Sequence, residues 1–268
     1  MPITNQALQQ KLLQAKMVLE DALDAYPPEK ILLAWSAGKD STLVLKLLLE
    51  VCEQRGLTPP LTLDIDQQDA FPALIKFRDS IVKQWKIDLT VVKNHNFFEH
   101  IKQFGDSVNV AQLNDINQQA LHDIGYEEAS VTWQAESPVC NHLLKTVPIQ
   151  QAIIENDVQA MITGIRWDEH GARENETYFS ERDNPSHMRI HPILHLTERD
   201  VWDTHFSLNI PYNDLYQQGY RSLDTKTGTH KNSDRPAWEQ DLENTSERGN
   251  RSEEKEKIME QLRRWGYM

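Results

Sequence analysis

Six residues, Ser36-Ala37-Gly38-Lys39-Asp40-Ser41, stand between a short apolar run, Ile31 to Trp35, and a leucine-rich stretch, Thr42 to Glu53, with helical spacing. A strand that passes through a glycine-containing turn into a helix constrains the fold more than any other feature of the chain. The turn can present backbone N–H groups, and the helix N-terminus adds the positive end of its dipole, so a polyphosphate finds donors without a preassembled cluster of cations. Lys39 adds a point charge, and Ser36 and Ser41 add hydroxyl donors. The Walker sequence GxxxxGK[ST] is longer, and here the first Ser follows the strand directly, which disfavours γ-phosphate transfer.

The same alternation continues along the chain. Gln9 to Ala25 has helical spacing that ends before Pro27 and Pro28. Leu61 to Asp66, Asp88 to Lys93 and Val158 to Gly164 read as strands, and Arg189 to Ile193 as a further one. Ala73 to Lys83 and Asn141 to Glu155 read as helices, and Thr197 caps another with Glu198 and Asp200 in its first turn. Residues 104–132 show no clear period, and residues 165–188 read as a polar loop. Strands alternating with helices imply an α/β fold, a parallel sheet of about five strands covered by helices on both faces. We expect a nucleotide-binding domain over residues 1–218 and a polar C-terminal extension over 219–268, ending in a helix from Glu254 to Trp265.

Composition narrows the partners. A formal charge of -13 disfavours sequence-blind binding to a polyanion, which depends on Lys and Arg neutralising phosphates. No stretch approaches the roughly 20 apolar residues of a membrane helix, and the first residues lack a secretory pattern, so the expected location is cytoplasmic. The two cysteines, Cys52 and Cys140, are too few for a four-cysteine iron–sulfur cluster, and none is expected.

The loop SAGKDS resembles the SxGxDS signature of the PP-loop ATP pyrophosphatases, which adenylate a substrate and release pyrophosphate. Within that superfamily the chain is similar, from Ile31 onward, to the branch of phosphoadenylyl-sulfate reductases and the small subunit of sulfate adenylyltransferase. Asp66 at a strand end, with Phe71 and Phe77-Arg78-Asp79, resembles the family's HVDTG…F…FRD region, whose Asp lies near the nucleotide. Thr163 to Asp183 resembles the adenylyltransferase stretch that begins Gly-x-Arg and ends Arg-Asp. There Gly164 lets backbone approach a ligand, and Arg166, Arg173 and Arg182 offer planar forks to phosphate or sulfate oxygens. Arg189 to Tyr216 is the longest close match and reads as scaffold, with His191 and His195 structural.

The resemblance implies an adenine nucleotide α-hydrolase-like fold and ATP with Mg²⁺ across the carboxyl edge of the sheet. Nucleotide binding falls to Ser36, Ala37, Gly38, Lys39, Asp40, Ser41, Asp66, Gly164 and Arg166, and catalysis to Lys39, Asp40, Arg166 and Arg173. No protein metal ligand is assigned. Gly219 to Thr229 resembles the reductases, whereas Thr245 to Arg251 resembles the adenylyltransferase TSERQGR, which makes Arg248 and Arg251 candidate substrate contacts. No Cys follows Cys140, so the reductases' nucleophile is missing. Sulfate or a related small oxyanion is then the expected acceptor, with a GTPase large subunit as partner.

Cys140, in SPVCNHLLKTVP, resembles sulfur-insertion relatives, including those of DNA phosphorothioation, in which a thiol accepts sulfur. That alternative implies a cysteine desulfurase and a nucleic-acid-binding partner, with Lys145 lowering the thiol pKa if the two side chains converge. A third reading is a noncatalytic nucleotide-binding regulator. The segment from Gly219 to Glu253 has the composition of a mobile tail, yet its embedded motifs predict closure over a bound nucleotide.

Overall fold

Along Ile31-Leu32-Leu33 successive side chains point to opposite sides of a strand, and all three are fully buried, so this strand has helices on both faces. The structure, a computed structural model, describes residues 5–134, 137–169, 171–231 and 233–247. Strands β1 (Ile31–Ala34), β2 (Leu61–Ile65), β3 (Leu89–Val92), β6 (Ala160–Ile162), β7 (Phe179–Asp183) and β8 (Ser186–Ile190) form one sheet in the order β3-β2-β1-β6-β8-β7. All neighbours are parallel except β7, which runs antiparallel to β8. The expected fold class is confirmed, with one strand beyond the five expected.

The extra strand lies in the stretch read as a polar loop. Strand β7 carries Phe179-Ser180-Glu181-Arg182-Asp183, with too little apolar alternation to reveal itself, and it is defined by pairing with β8. The strand expected at Arg189 to Ile193 begins earlier, at Ser186, and ends at Ile190.

On one face Ile31, Leu33, Ala160, Ile162 and Ile190 pack with helices α1 (Gln6–Ala25), α2 (Lys39–Arg55), α3 (Pro72–Trp85) and α8 (Glu198–Ser207). On the other, Leu32, Leu63 and Met161 pack against Ile149 and Ile153 of α7 (Val147–Glu155). Each buried aliphatic side chain contributes roughly 1.5–3 kcal/mol. Helix α8 begins with a capping box between Thr197 and Asp200, as its first turn predicts.

Residues 94–146 form a small unit between β3 and α7. Helices α4 (His95–His100), α5 (Asp115–Asp123) and α6 (Pro138–Asn141) and the antiparallel pair β4 (Ser107–Asn109) and β5 (Ser130–Thr132) enclose a separate apolar core. Its short elements explain why 104–132 lacks a readable period. The helix expected from Asn141 is continuous from Pro138 but relaxes to π geometry at His142–Thr146, just before Pro148, which has no N–H to continue the α-helical ladder. The terminal helix expected at 254–265 lies outside the described residues.

Within this unit His142 is buried, and burial holds its imidazole down to about 4 despite a hydrogen bond to the Ala120 backbone. An unfolded chain binds this proton near pH 6.5 and the folded chain does not. The contribution of the neutral ring is therefore complete above pH 6.5 and is lost as pH falls toward 4. We predict that denaturant-unfolding free energies decline across that window, and that His142→Gln flattens the decline by about 1.4 kcal/mol per pH unit. An unchanged slope in the variant would count against this assignment.

Candidate active site

The chain leaves β1 at Ala34 and enters α2 at Lys39, so the intervening turn lies at the carboxyl edge of the sheet, where α/β folds bind ligands. A cavity of about 560 Å³ opens there, lined by residues of the 34–41 loop, the end of β2 and the 163–165 stretch after β6. Ala37 holds a left-handed backbone, φ 55, a conformation that glycine adopts without a Cβ penalty. Gly38 caps α2 without a side-chain bond, leaving the helix end to backbone groups, and the Lys39 N–H donates to the Tyr216 hydroxyl at 2.9 Å. Ser36 and Ser41 hydroxyls lie 3.3 Å apart across the turn.

Gly164 follows β6 and lies against the first turn of α2. A Cβ there would sit 2.9 Å from the Ser41 nitrogen and 3.0 Å from the Asp40 carbonyl carbon, both backbone atoms that cannot swing aside. Its glycine thus serves the close approach of protein backbone as well as the cavity wall.

Charges concentrate around this turn. Lys39, 1% exposed, reaches Glu247 at 2.5 Å and Asp40 at 3.0 Å, with Glu198 at 4.0 Å. Arg166, fully buried, pairs with Asp40, with Asp168 at 2.8 Å and with Glu247 at 2.6 Å. Burial alone would push the Glu247 carboxyl up, but the charges of Lys39 and Arg166 hold it well below the usual carboxylate range. Burial, joined by the charge of Glu247, pushes Glu198 up against the pull of Lys39 and Arg221. Arg221 closes the group through Glu198 at 2.8 Å.

The sequence-predicted residues therefore converge only in part. Ser36 to Ser41, Gly164, Arg173 and Asp66 line the cavity, with Arg166 just behind it. Asp66 also accepts from the Gln68 N–H at 2.8 Å, which folds its own turn. Arg173 is paired with Glu169. Arg182 does not line the cavity; it sits on β7 and pairs with Glu176 at 3.2 Å. Arg248 and Arg251 lie outside the described residues.

The segment after Gly219 departs from a loose tail. In its described part Lys226 donates its N–H to the Asp69 carbonyl, Thr227 donates to the Asp69 carboxylate, and Asp224 pairs with Lys145 at 2.9 Å. These contacts set residues 222–225 in the cavity wall. Glu198, Tyr216, Arg221 and Glu247 fall in stretches that read as scaffold or tail, although their place in the family-like segments 189–216, 219–229 and 245–251 is the available signal.

Cys140 is 2% exposed, packs in the core of the 94–146 unit and donates its thiol to the Thr132 carbonyl at 3.2 Å. Burial pushes the thiol up, against thiolate formation. The Lys145 ammonium, whose approach would be needed to lower the thiol pKa, pairs with Asp224. Neither cysteine lines the cavity.

The chain resembles known proteins over most of its length. The chain is 28% identical over 196 residues to the phosphoadenosine 5'-phosphosulfate reductase of Xanthomonas axonopodis pv. citri, covering 73% of this chain and 70% of that one. It is 27% identical over 224 residues to a probable FAD synthase of Caenorhabditis elegans, covering 83% of this chain but only 34% of the relative. The crystal structure of Candida glabrata FMN adenylyltransferase with FMN and the ATP analogue AMPCPP shares the fold, with TM-score 0.59 and 18% identity over 92% of this chain and 75% of that one. No helix among the described residues is long and apolar enough to cross a membrane. The phosphoadenosine phosphosulfate reductase domain matches residues 30–231, and the chain belongs to that family, within the PP-loop ATP pyrophosphatase superfamily.

Proposed function

We propose that the chain catalyses attack of an oxyanion on the α-phosphorus of ATP, with release of pyrophosphate, and that sulfate is the acceptor. The observation that carries this reading is the Glu247 carboxylate bridging Lys39 and Arg166 at the N-terminus of α2, because a site that grips one buried oxyanion this way has the donors for another. In the reaction the acceptor oxygen bonds to the α-phosphorus, the bond to the bridging oxygen breaks, and its electron pair leaves on pyrophosphate. Lys39 and the α2 N–H groups hold the β and γ phosphates, while Arg166 and Arg173 stabilise the charge that develops.

Among the described residues no three His, Cys, Asp or Glu side chains form a ready-made metal cage, so magnesium enters this reading as part of the ATP substrate. That neither thiol lines the cavity, and that burial holds the Cys140 thiol protonated, supports adenylyl transfer over thiol-based reduction or sulfur carriage by Cys140. Formation of adenylyl sulfate is uphill, and on this reading it is coupled to a GTPase subunit.

The test is pyrophosphate release from MgATP by the purified chain, without acceptor, with sulfate and with flavin mononucleotide. Sulfate stimulation that survives Cys140→Ser is the expected result. Stimulation by flavin mononucleotide alone would replace sulfate with a phosphate monoester as acceptor. Acceptor-independent release with sulfur transfer lost in Cys140→Ser would instead favour the sulfur-insertion reading and its desulfurase and nucleic-acid-binding partners.

A further inference from the structure

One face of the sheet changes character along its width. From β2 to β6 it presents Leu63, Leu32 and Met161, all under α7. In the next register positions stand Arg189 of β8, paired with Met161, and Ser180 of β7, with His187 opposite Arg182 one step along. The Arg189 Nε–H donates to the His187 Nε2 at 3.4 Å.

Arg189 is 6% exposed, yet it lines the main cavity together with Arg173 and His191. The His191 ring is 1% exposed, and its Nδ1 lies 2.7 Å from the Thr163 hydroxyl. Its Nε2 is buried without a hydrogen-bond partner among the described residues, and the nearest carboxylate oxygen, of Glu176, is 3.8 Å away. Burial, followed by the charges of Arg189, Arg182 and Arg173, holds this imidazole down to about 3, so it is neutral at physiological pH. In the tautomer with its proton on Nε2 the neutral ring accepts from the Thr163 hydroxyl through Nδ1 and has one donor to give.

We propose that Arg189, Arg173 and the Nε2–H of His191 form a second anion subsite in this cavity, separate from the Lys39 turn, which receives the tetrahedral dianion of the acceptor. This rests on the adenylyl-transfer reading and names where the attacking oxyanion waits. The dianion arrives either as free sulfate or as the phosphate end of a larger molecule, since both present the same oxygen tetrahedron to a guanidinium fork.

Calorimetric titration of inorganic sulfate and of flavin mononucleotide into the AMPCPP-saturated chain tests the subsite without turnover. One of the two probes is expected to bind, sulfate if the dianion is free and flavin mononucleotide if it is an ester. Arg189→Met should weaken that probe at least tenfold while AMPCPP affinity stays within about twofold. Where Arg189→Met lowers the melting temperature too far to titrate, Arg189→Lys takes its place, with a smaller loss expected because the charge remains and the fork does not. The subsite is overturned if neither probe binds the AMPCPP-loaded wild type, or if the Arg189 variant binds as tightly as wild type. Failure of AMPCPP itself to bind would overturn the adenylyl-transfer reading, a separate result; the probes are then titrated into the nucleotide-free chain, where the same loss on Arg189 substitution is required.

Discussion

On the proposed reading, pyrophosphate release from ATP is expected to fall by about two to three orders of magnitude when Lys39 is replaced by Ala. The ammonium is the first side chain of α2, lies on the cavity wall and is surrounded by carboxylates rather than water. A preorganised cation in such a place needs no reorientation as charge builds on the leaving pyrophosphate, and this is why deletion of one such donor has so large a cost. The same deletion leaves Glu247 and Glu198 buried with less compensation, so part of any loss could come from instability. Lys39→Ala combined with Glu247→Gln separates the two effects. The double variant should melt closer to wild type and remain inactive. Wild-type turnover in a folded Lys39→Ala protein would remove Lys39 from the mechanism, and a wild-type chain that binds AMPCPP without releasing pyrophosphate would establish the noncatalytic regulator.

Arg166→Gln should lower the unfolding free energy by about 3–5 kcal/mol, the cost of breaking a buried ion pair and leaving its partner charged. Against a total stability of roughly 5–15 kcal/mol this is a large fraction. The guanidinium contacts Asp40, Asp168 and Glu247 at once, so no single carboxylate accounts for the loss. Adding Glu247→Gln to Arg166→Gln removes one of the stranded anions and should recover about 0.5–3 kcal/mol as a coupling energy in denaturant unfolding. A strictly additive pair would show that the two side chains do not share this site.

Glu247→Gln by itself has a second consequence. The carboxylate holds Lys39 and Arg166, the cations that the proposed reading assigns to the triphosphate, and the surrounding Asp40, Asp168, Glu169 and Glu198 pair with the same two cations. Removing the competitor should tighten AMPCPP binding about tenfold, or 1.4 kcal/mol. Weaker binding in calorimetry would mean that Glu247 supports the nucleotide rather than yields to it.

The strand–turn–helix around Lys39 was legible because its information is local. An apolar strand, a Ser/Gly turn and an amphipathic helix follow one another within residues 31–55, and their order alone places Lys39 at a helix N-terminus on the sheet edge. Periodicity likewise identified β1, β2, β3, β6 and the helices around them. It failed at β7, where polar side chains conceal a strand that exists through its pairing with β8, and in the 94–146 unit, whose elements are too short to repeat a period.

By itself, then, the sequence determined the α/β alternation and the strand–turn–helix that carries Lys39, because each depends on residues close together in the chain. Only the tertiary structure decided which distant charges meet there. It joined Glu247 to Lys39 across 208 positions, set Gly164 against the first turn of α2, paired Lys145 with Asp224, and set Arg189 and His191 in the cavity wall. Ion pairing and burial act through space, and a carboxylate that looks like part of a solvated tail becomes part of a site once folding removes its water and leaves two cations as its partners.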